Sequence, residues 1–98
     1  MLTSKQRSFL SGLANGLEPV VMIGKQGLSP GVRSALETEL GTRELVKLRF
    51  IDLKDEKREI AEELAKASRA DLVRIIGNVA IFYRPSSDPG HHRIELPA

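Results

Sequence analysis

Cysteine is absent from this 98-residue chain, which excludes disulfides and thiolate metal sites. That absence fits a reducing compartment. Tryptophan is missing too, and there is one tyrosine among three phenylalanines, so no interleaved set of aromatics is available for stacking. No run approaches the roughly 20 apolar residues that span a bilayer. The first twelve residues lack the apolar core of a signal peptide. A soluble, cytoplasmic protein with no membrane association is expected. The P-loop pattern fails because Lys25 is followed by Gln26, and the GxGxxG dinucleotide fingerprint is missing. No Ser–His–Asp set is recognisable. The expectation is therefore a non-enzymatic protein with no cofactor and no metal.

What is present is ordinary for one globular domain: 41% hydrophobic and 29% charged residues. The net charge is only +2, but it is unevenly spread. Residues 52–63 hold six acids (Asp52, Asp55, Glu56, Glu59, Glu62, Glu63) against three bases, a local −3 that leaves the rest of the chain at +5. An acidic helix face opposite basic surfaces fits a footprint for phosphate; the alternative is scattered surface charge that serves solubility.

Thr3 and Gln6 form a capping-box pattern, and Phe9, Leu10, Leu13 and Leu17 fall on one helical face, predicting a helix over residues 4–15. Residues 19–23 are an apolar run without alternation, which reads as a strand covered on both faces. Ser29-Pro30 opens a second helix, with Val32, Ala35, Leu36 and Leu40 inward and Gly41 as its stop. Residues 45–50 alternate, with Val46, Leu48 and Phe50 on one face and Lys47 and Arg49 on the other. A third helix is predicted over residues 55–68. Residues 72–76 and 79–83 form a hairpin around Gly77-Asn78. In that register Arg74 faces Ile81 and Leu72 faces Tyr83, while Val73, Ile75, Ala80 and Phe82 face the core. Residues 85–98 read as an extended or mobile tail in which 93–96 adds an edge strand or nothing. The order α-β-α-β-α-β-β implies an α/β fold with a mixed sheet.

Gly24, Lys25, Gln26 and Gly27 form the sharpest feature. The loop follows a strand and opens a helix, so backbone N–H groups can face an anion. Lys25 adds a cation at the tip and Arg33 another in the first turn. KH domains clamp a nucleotide backbone with such a GxxG loop. The same four residues also serve as a plain strand-to-helix turn. Lys47, Arg49 and Arg74 project from one sheet face near Tyr83, which reads either as a platform for single-stranded RNA or as a solvated face with Tyr83 packed under the first helix. His91-His92 lacks a fixed third ligand and reads as solvated tail.

Four ordered blocks carry a family resemblance: residues 2–7, residues 19–29, residues 44–49 and residues 76–85. Together they resemble a YhbY-type protein of the CRM (chloroplast RNA splicing and ribosome maturation) domain family. The resemblance implies a four-stranded mixed sheet with packed helices, like the C-terminal domain of translation initiation factor three, with a domain over residues 1–85 and a tail over 86–98. It implies RNA binding through Gly24, Lys25, Gln26 and Gly27, with Lys47, Arg49 and Arg84 as basic residues of the matching blocks. Stand-alone bacterial members are associated with large-subunit precursors, so ribosomal RNA is the expected partner and a monomer the expected state. The acidic third helix and the His91-His92 tail depart from the family pattern. The competing expectation is a protein-interaction module that meets an acidic partner through its basic face.

Overall fold

The computed structural model describes residues 2–98. The elements are α1 (Ser4–Ala14), β1 (Val21–Ile23), α2 (Pro30–Arg43), β2 (Leu45–Phe50), a 3-10 turn (Lys54–Glu56), α3 (Lys57–Ser68), β3 (Asp71–Ile76) and β4 (Val79–Tyr83). The sheet runs β1-β2-β4-β3. β1 pairs parallel with β2, and the other two pairings are antiparallel. This is the predicted four-stranded mixed sheet. No described helix is long and apolar enough to cross a membrane.

Strand alternation divides the apolar residues into two layers. Val46, Leu48, Phe50, Ala80 and Phe82 meet Leu36 and Leu40 of α2 and Ala61, Leu64 and Ala65 of α3. On the other face Leu45, Ile81, Tyr83 and Val73 meet Leu10 and Ala14 of α1, joined by Ile94 and Leu96 of the tail. A sheet buried on both faces explains why β4 has so little polar character.

Local signals set the helix starts. Gln6 N–H donates to Thr3 Oγ1 at 3.1 Å while Thr3 N–H donates to Gln6 Oε1 at 3.0 Å, the reciprocal capping box. Ser29 Oγ accepts from Val32 N–H at 3.2 Å, with Pro30 as the first helical residue.

Several expectations need correction. The buried stripe of α1 is Leu10 and Ala14, while Phe9 and Leu13 are exposed, because the helix touches the sheet along a narrow seam. α2 runs past Gly41 to Arg43 and ends at Glu44, whose φ is +62°. One mid-helix glycine costs only about 1 kcal/mol, too little to end a helix whose next turn is anchored. The third helix begins at Lys57, after the 3-10 turn. β1 is a short edge strand covered on one face, with Met22 46% exposed, because α1 lies over β2, β3 and β4. β3 carries a bulge: Leu72 pairs with Phe82 and Arg74 with Ile81, leaving Val73 as the extra residue. Leu72 therefore joins the α2–α3 layer, Val73 turns under α1, and Asp71 rather than Leu72 faces Tyr83. The tail forms no strand at 93–96. It is pinned instead by the buried Glu44 carboxylate, which accepts from the backbone N–H groups of Ser86, Arg93 and Ile94.

Candidate nucleic-acid interface

The 24–27 loop is a tight turn closed by Gly27 N–H donating to Gly24 O at 3.1 Å, followed by Ser29 N–H donating to Gly27 O at 2.9 Å. Gly24, Lys25 and Gln26 are exposed and Gly27 is buried. The two glycines do different work. Gly27 sits at φ +60°, and a Cβ there would lie 3.0 Å from Leu53 Cδ1, so the fold itself requires glycine. At Gly24 a Cβ would meet nothing within 4 Å, and the fold places no demand on the position. Any substitution at Gly27 strains the backbone, which makes Gly24 and Lys25 the cleaner probes of ligand contact.

The loop lies at the sheet end where β1 and β2 both finish. Ile51 N–H and Asp52 N–H donate to Ile23 O at 2.8 and 3.2 Å, and Phe50 N–H donates to Asn78 O at 2.8 Å. The Gly77-Asn78 hairpin turn therefore shares this end with the loop. Lys57 Nζ donates to Gly77 O at 2.6 Å and holds the hairpin turn against α3.

One row of the sheet borders this end. The registers Met22↔Arg49, Arg49↔Val79 and Ile76↔Val79 place Met22, Arg49, Val79 and Ile76 side by side across all four strands. The next row holds Lys47, Ile81 and Arg74. Both rows lie on the α1 face; α1 packs around Leu45 and Tyr83 at the opposite end and reaches Ile81 of the second row, leaving the first row uncovered. Arg49 and Arg74 are exposed, and neither forms an ion pair among the described residues. Lys47 is half-buried, its Nζ donating to Leu17 O at 3.1 Å.

The predicted residues thus divide. Gly24, Lys25 and Gln26 come to the same end of the sheet as Arg49; Lys47 lies next to Arg49 along β2, and Arg74 lies two strands away on the same face. Arg33 is exposed on α2 beyond the loop. Arg84 stands apart: its Nη1 donates to Glu37 Oε2 and Ser68 O, both at 2.8 Å, tying the end of β4 to α2 and α3. Tyr83 is 3% exposed beneath α1, with no face to offer a base. Burial pushes its phenol above the usual range, and the charges of Glu44, Asp71 and Glu95 add to that. Glu59 and Glu63 lie exposed on α3, across the sheet from the basic rows, while Glu62 pairs with Arg58 at the β3 edge that also carries Arg74.

Sequence reasoning missed two features. The exposed apolar residues Met22 and Ile76 were hidden because an apolar run carries no mark of which face a helix leaves bare. Glu44 was hidden because a lone glutamate at a helix end looks solvated. Its side chain is fully buried, and His92 Nδ1 lies 2.9 Å from Oε2. No cluster of three or more His, Asp or Glu side chains suited to a metal occurs among the described residues.

A four-stranded mixed sheet with helices on both faces and a glycine-bounded turn at one sheet end define an α/β domain. The chain belongs to the CRS1 / YhbY (CRM) domain family, whose pattern its residues 2–84 match. It is 37% identical over 98 residues to the Probable RNA-binding protein YqeI of Bacillus subtilis, covering 99% of this chain and 100% of the relative. It is also 37% identical over 97 residues to an RNA-binding protein of Haemophilus influenzae, covering 98% and 95%. The solution structure of SAV1595 from Staphylococcus aureus superposes with a TM-score of 0.84 at 38% identity, covering 99% of this chain and 100% of that one.

Proposed function

We propose that this protein binds RNA through the 24–27 loop and the basic open end of the sheet. Its target is ribosomal RNA in cytoplasmic precursors of the large subunit, and it acts there as a single copy during assembly. The observation that carries the reading is that Lys25 and the accessible Gly24 backbone leave β1 at the sheet end where Arg49 stands exposed on the neighbouring strand, with Arg74 exposed on the same face at the far edge. Cations there meet phosphate, and a position without a side chain lets a sugar–phosphate backbone approach closely. The names of the relatives agree with RNA as the partner. The ribosomal assignment follows from the resemblance to stand-alone bacterial members of the family.

A single small module buries only about 600–1,000 Å² against nucleic acid, so phosphate contacts must supply much of the affinity. Such contacts specify little sequence and favour a shaped target with accessible backbone. Partly folded ribosomal RNA offers one, and its burial as assembly proceeds removes it. Sedimentation through sucrose gradients at low and high salt tests this. The protein should run with large-subunit precursors at low salt and leave them at high salt. Equal abundance on translating ribosomes, or a position at the top of the gradient at every salt concentration, rejects the ribosomal role. Association that survives ribonuclease points instead to an acidic protein partner.

A further inference from the structure

We propose that the row Met22–Arg49–Val79–Ile76 is a platform for unpaired bases, so that the RNA is single-stranded where it crosses the sheet. The proposal rests on the RNA-binding reading above and adds the form of nucleic acid that the site accepts.

Met22 is 46% and Ile76 54% exposed, on the two outermost strands of the sheet, with Val79 half-buried between them. Helix α1 leaves this row bare while it covers the far end of the same face. The row spans three strand spacings, about 14 Å, which is room for two or three splayed bases. An apolar strip of this kind gains nothing from a duplex, which keeps its base faces stacked inside and offers phosphates and 2′-hydroxyls outward. Unpaired bases have apolar faces to lay on Met22, Val79 and Ile76, and the Arg49 guanidinium in the middle of the row can stack on a base plane.

The charge pattern identifies the occupant further. The two adjoining rows contain Arg49, Lys47 and Arg74 and no acid; Asp52, Asp55 and Glu56 follow β2 beyond the end of the sheet. Lys25 stands on the loop that leaves the same end of β1. An apolar strip edged by cations, beside a turn with an open glycine, suits a polyanion whose bases are turned toward the protein. A protein segment matched to this strip would need acids at its edges. That alternative becomes an outcome of the test rather than a second proposal. With no aromatic side chain in the row, stacking on each base is weak and tolerant of sequence.

The test measures fluorescence anisotropy with a 12-nucleotide single-stranded RNA and a 12-base-pair duplex of the same sequence. The proteins are the full chain, the double variant Met22→Ser/Ile76→Ser and Lys25→Glu. All three positions are exposed. A thermal melt of each confirms the fold. The unmodified protein should prefer the single strand by about tenfold. The double variant should lose that preference by weakening single-strand binding alone, with its salt dependence unchanged. Lys25→Glu should weaken both RNA forms and flatten the salt dependence. Equal affinity for both forms in the unmodified protein, or full single-strand affinity in the double variant, overturns the platform and leaves RNA binding standing. Failure to bind either form at low salt overturns the RNA-binding reading itself, and an acidic peptide then becomes the ligand to examine.

Discussion

Glu44 shows how much a single residue can organise. It ends α2 at φ +62°, a conformation that costs a non-glycine residue about 1–3 kcal/mol and persists only where the surroundings enforce it. Here they do. Oε1 accepts from Arg93 N–H at 2.8 Å and Ile94 N–H at 3.0 Å, and Oε2 accepts from Ser86 N–H at 2.7 Å beside His92 Nδ1. Burial alone would raise its pKa, but these donors outweigh it and hold the carboxyl at about 2, below the ordinary 4.5. A depressed folded-state value means that the stabilisation is complete above the unfolded pKa and drains as pH falls from about 4.5 toward 2. The shift corresponds to roughly 3 kcal/mol at neutral pH. Glu44→Gln turns an N–H₂ toward donors and should cost about that much at pH 7. Urea denaturation of both proteins at pH 7, 4 and 2.5 should show their stabilities converging as pH falls. A constant gap across that range would show that the carboxylate charge is not what holds the tail.

At the scale of elements, what the sequence displays is local chemistry. The Thr3–Gln6 box, the Ser29-Pro30 start, the alternation of Val46, Leu48 and Phe50 and the Gly77-Asn78 turn each act within a few residues, and each was legible. The bulge in β3 was not, because it answers a demand from outside the strand. The hairpin register sets Arg74 opposite Ile81 on the α1 face, so a regular strand would send Val73 to the α2–α3 layer and Leu72 under α1; the extra residue exchanges them. Arg7 secures the arrangement from α1, its Nη1 donating to Leu72 O at 2.6 Å and Val73 O at 2.8 Å. The same bonds occupy carbonyls of an edge strand that would otherwise pair with another chain. Arg7→Met keeps the aliphatic stem and removes both donors. It should lower the urea midpoint by an amount worth about 1–2 kcal/mol without changing the slope, while Lys5→Met on the exposed face of α1 should change neither. An unshifted midpoint for Arg7→Met would mean that water replaces the guanidinium without loss. The candidate site was legible in part for the same reason. The 24–27 loop is contiguous in sequence, whereas the row Met22–Arg49–Val79–Ile76 draws one residue from each strand and appears only once the sheet is registered.

For the whole molecule the relevant quantity is how charge is distributed, since a net +2 says little about the field at any one surface. Exposed Glu59 and Glu63 project from α3 on one side and Arg49 and Arg74 on the other, while Glu62 shares the β3 edge with Arg74 and pairs with Arg58. Arg49 and Arg74, exposed and unpaired by acids among the described residues, draw a polyanion to their face. Each phosphate contact releases condensed counterions, so the slope of log affinity against log salt counts the cations in contact. Arg49 and Arg74 have no ion-pair partners among the described residues, so neutralising them removes contacts without unpairing an acid. Arg49→Gln/Arg74→Gln should therefore weaken single-stranded RNA binding and reduce the magnitude of that slope by about 1–2. Glu59→Gln/Glu63→Gln, which unpairs no basic side chain among the described residues, should leave the slope unchanged and the affinity equal or slightly higher, because salt screens charges beyond about 10 Å. The two titrations together locate the RNA-facing side. If the glutamate pair changed the slope and the arginine pair did not, the nucleic acid would have to lie against α3.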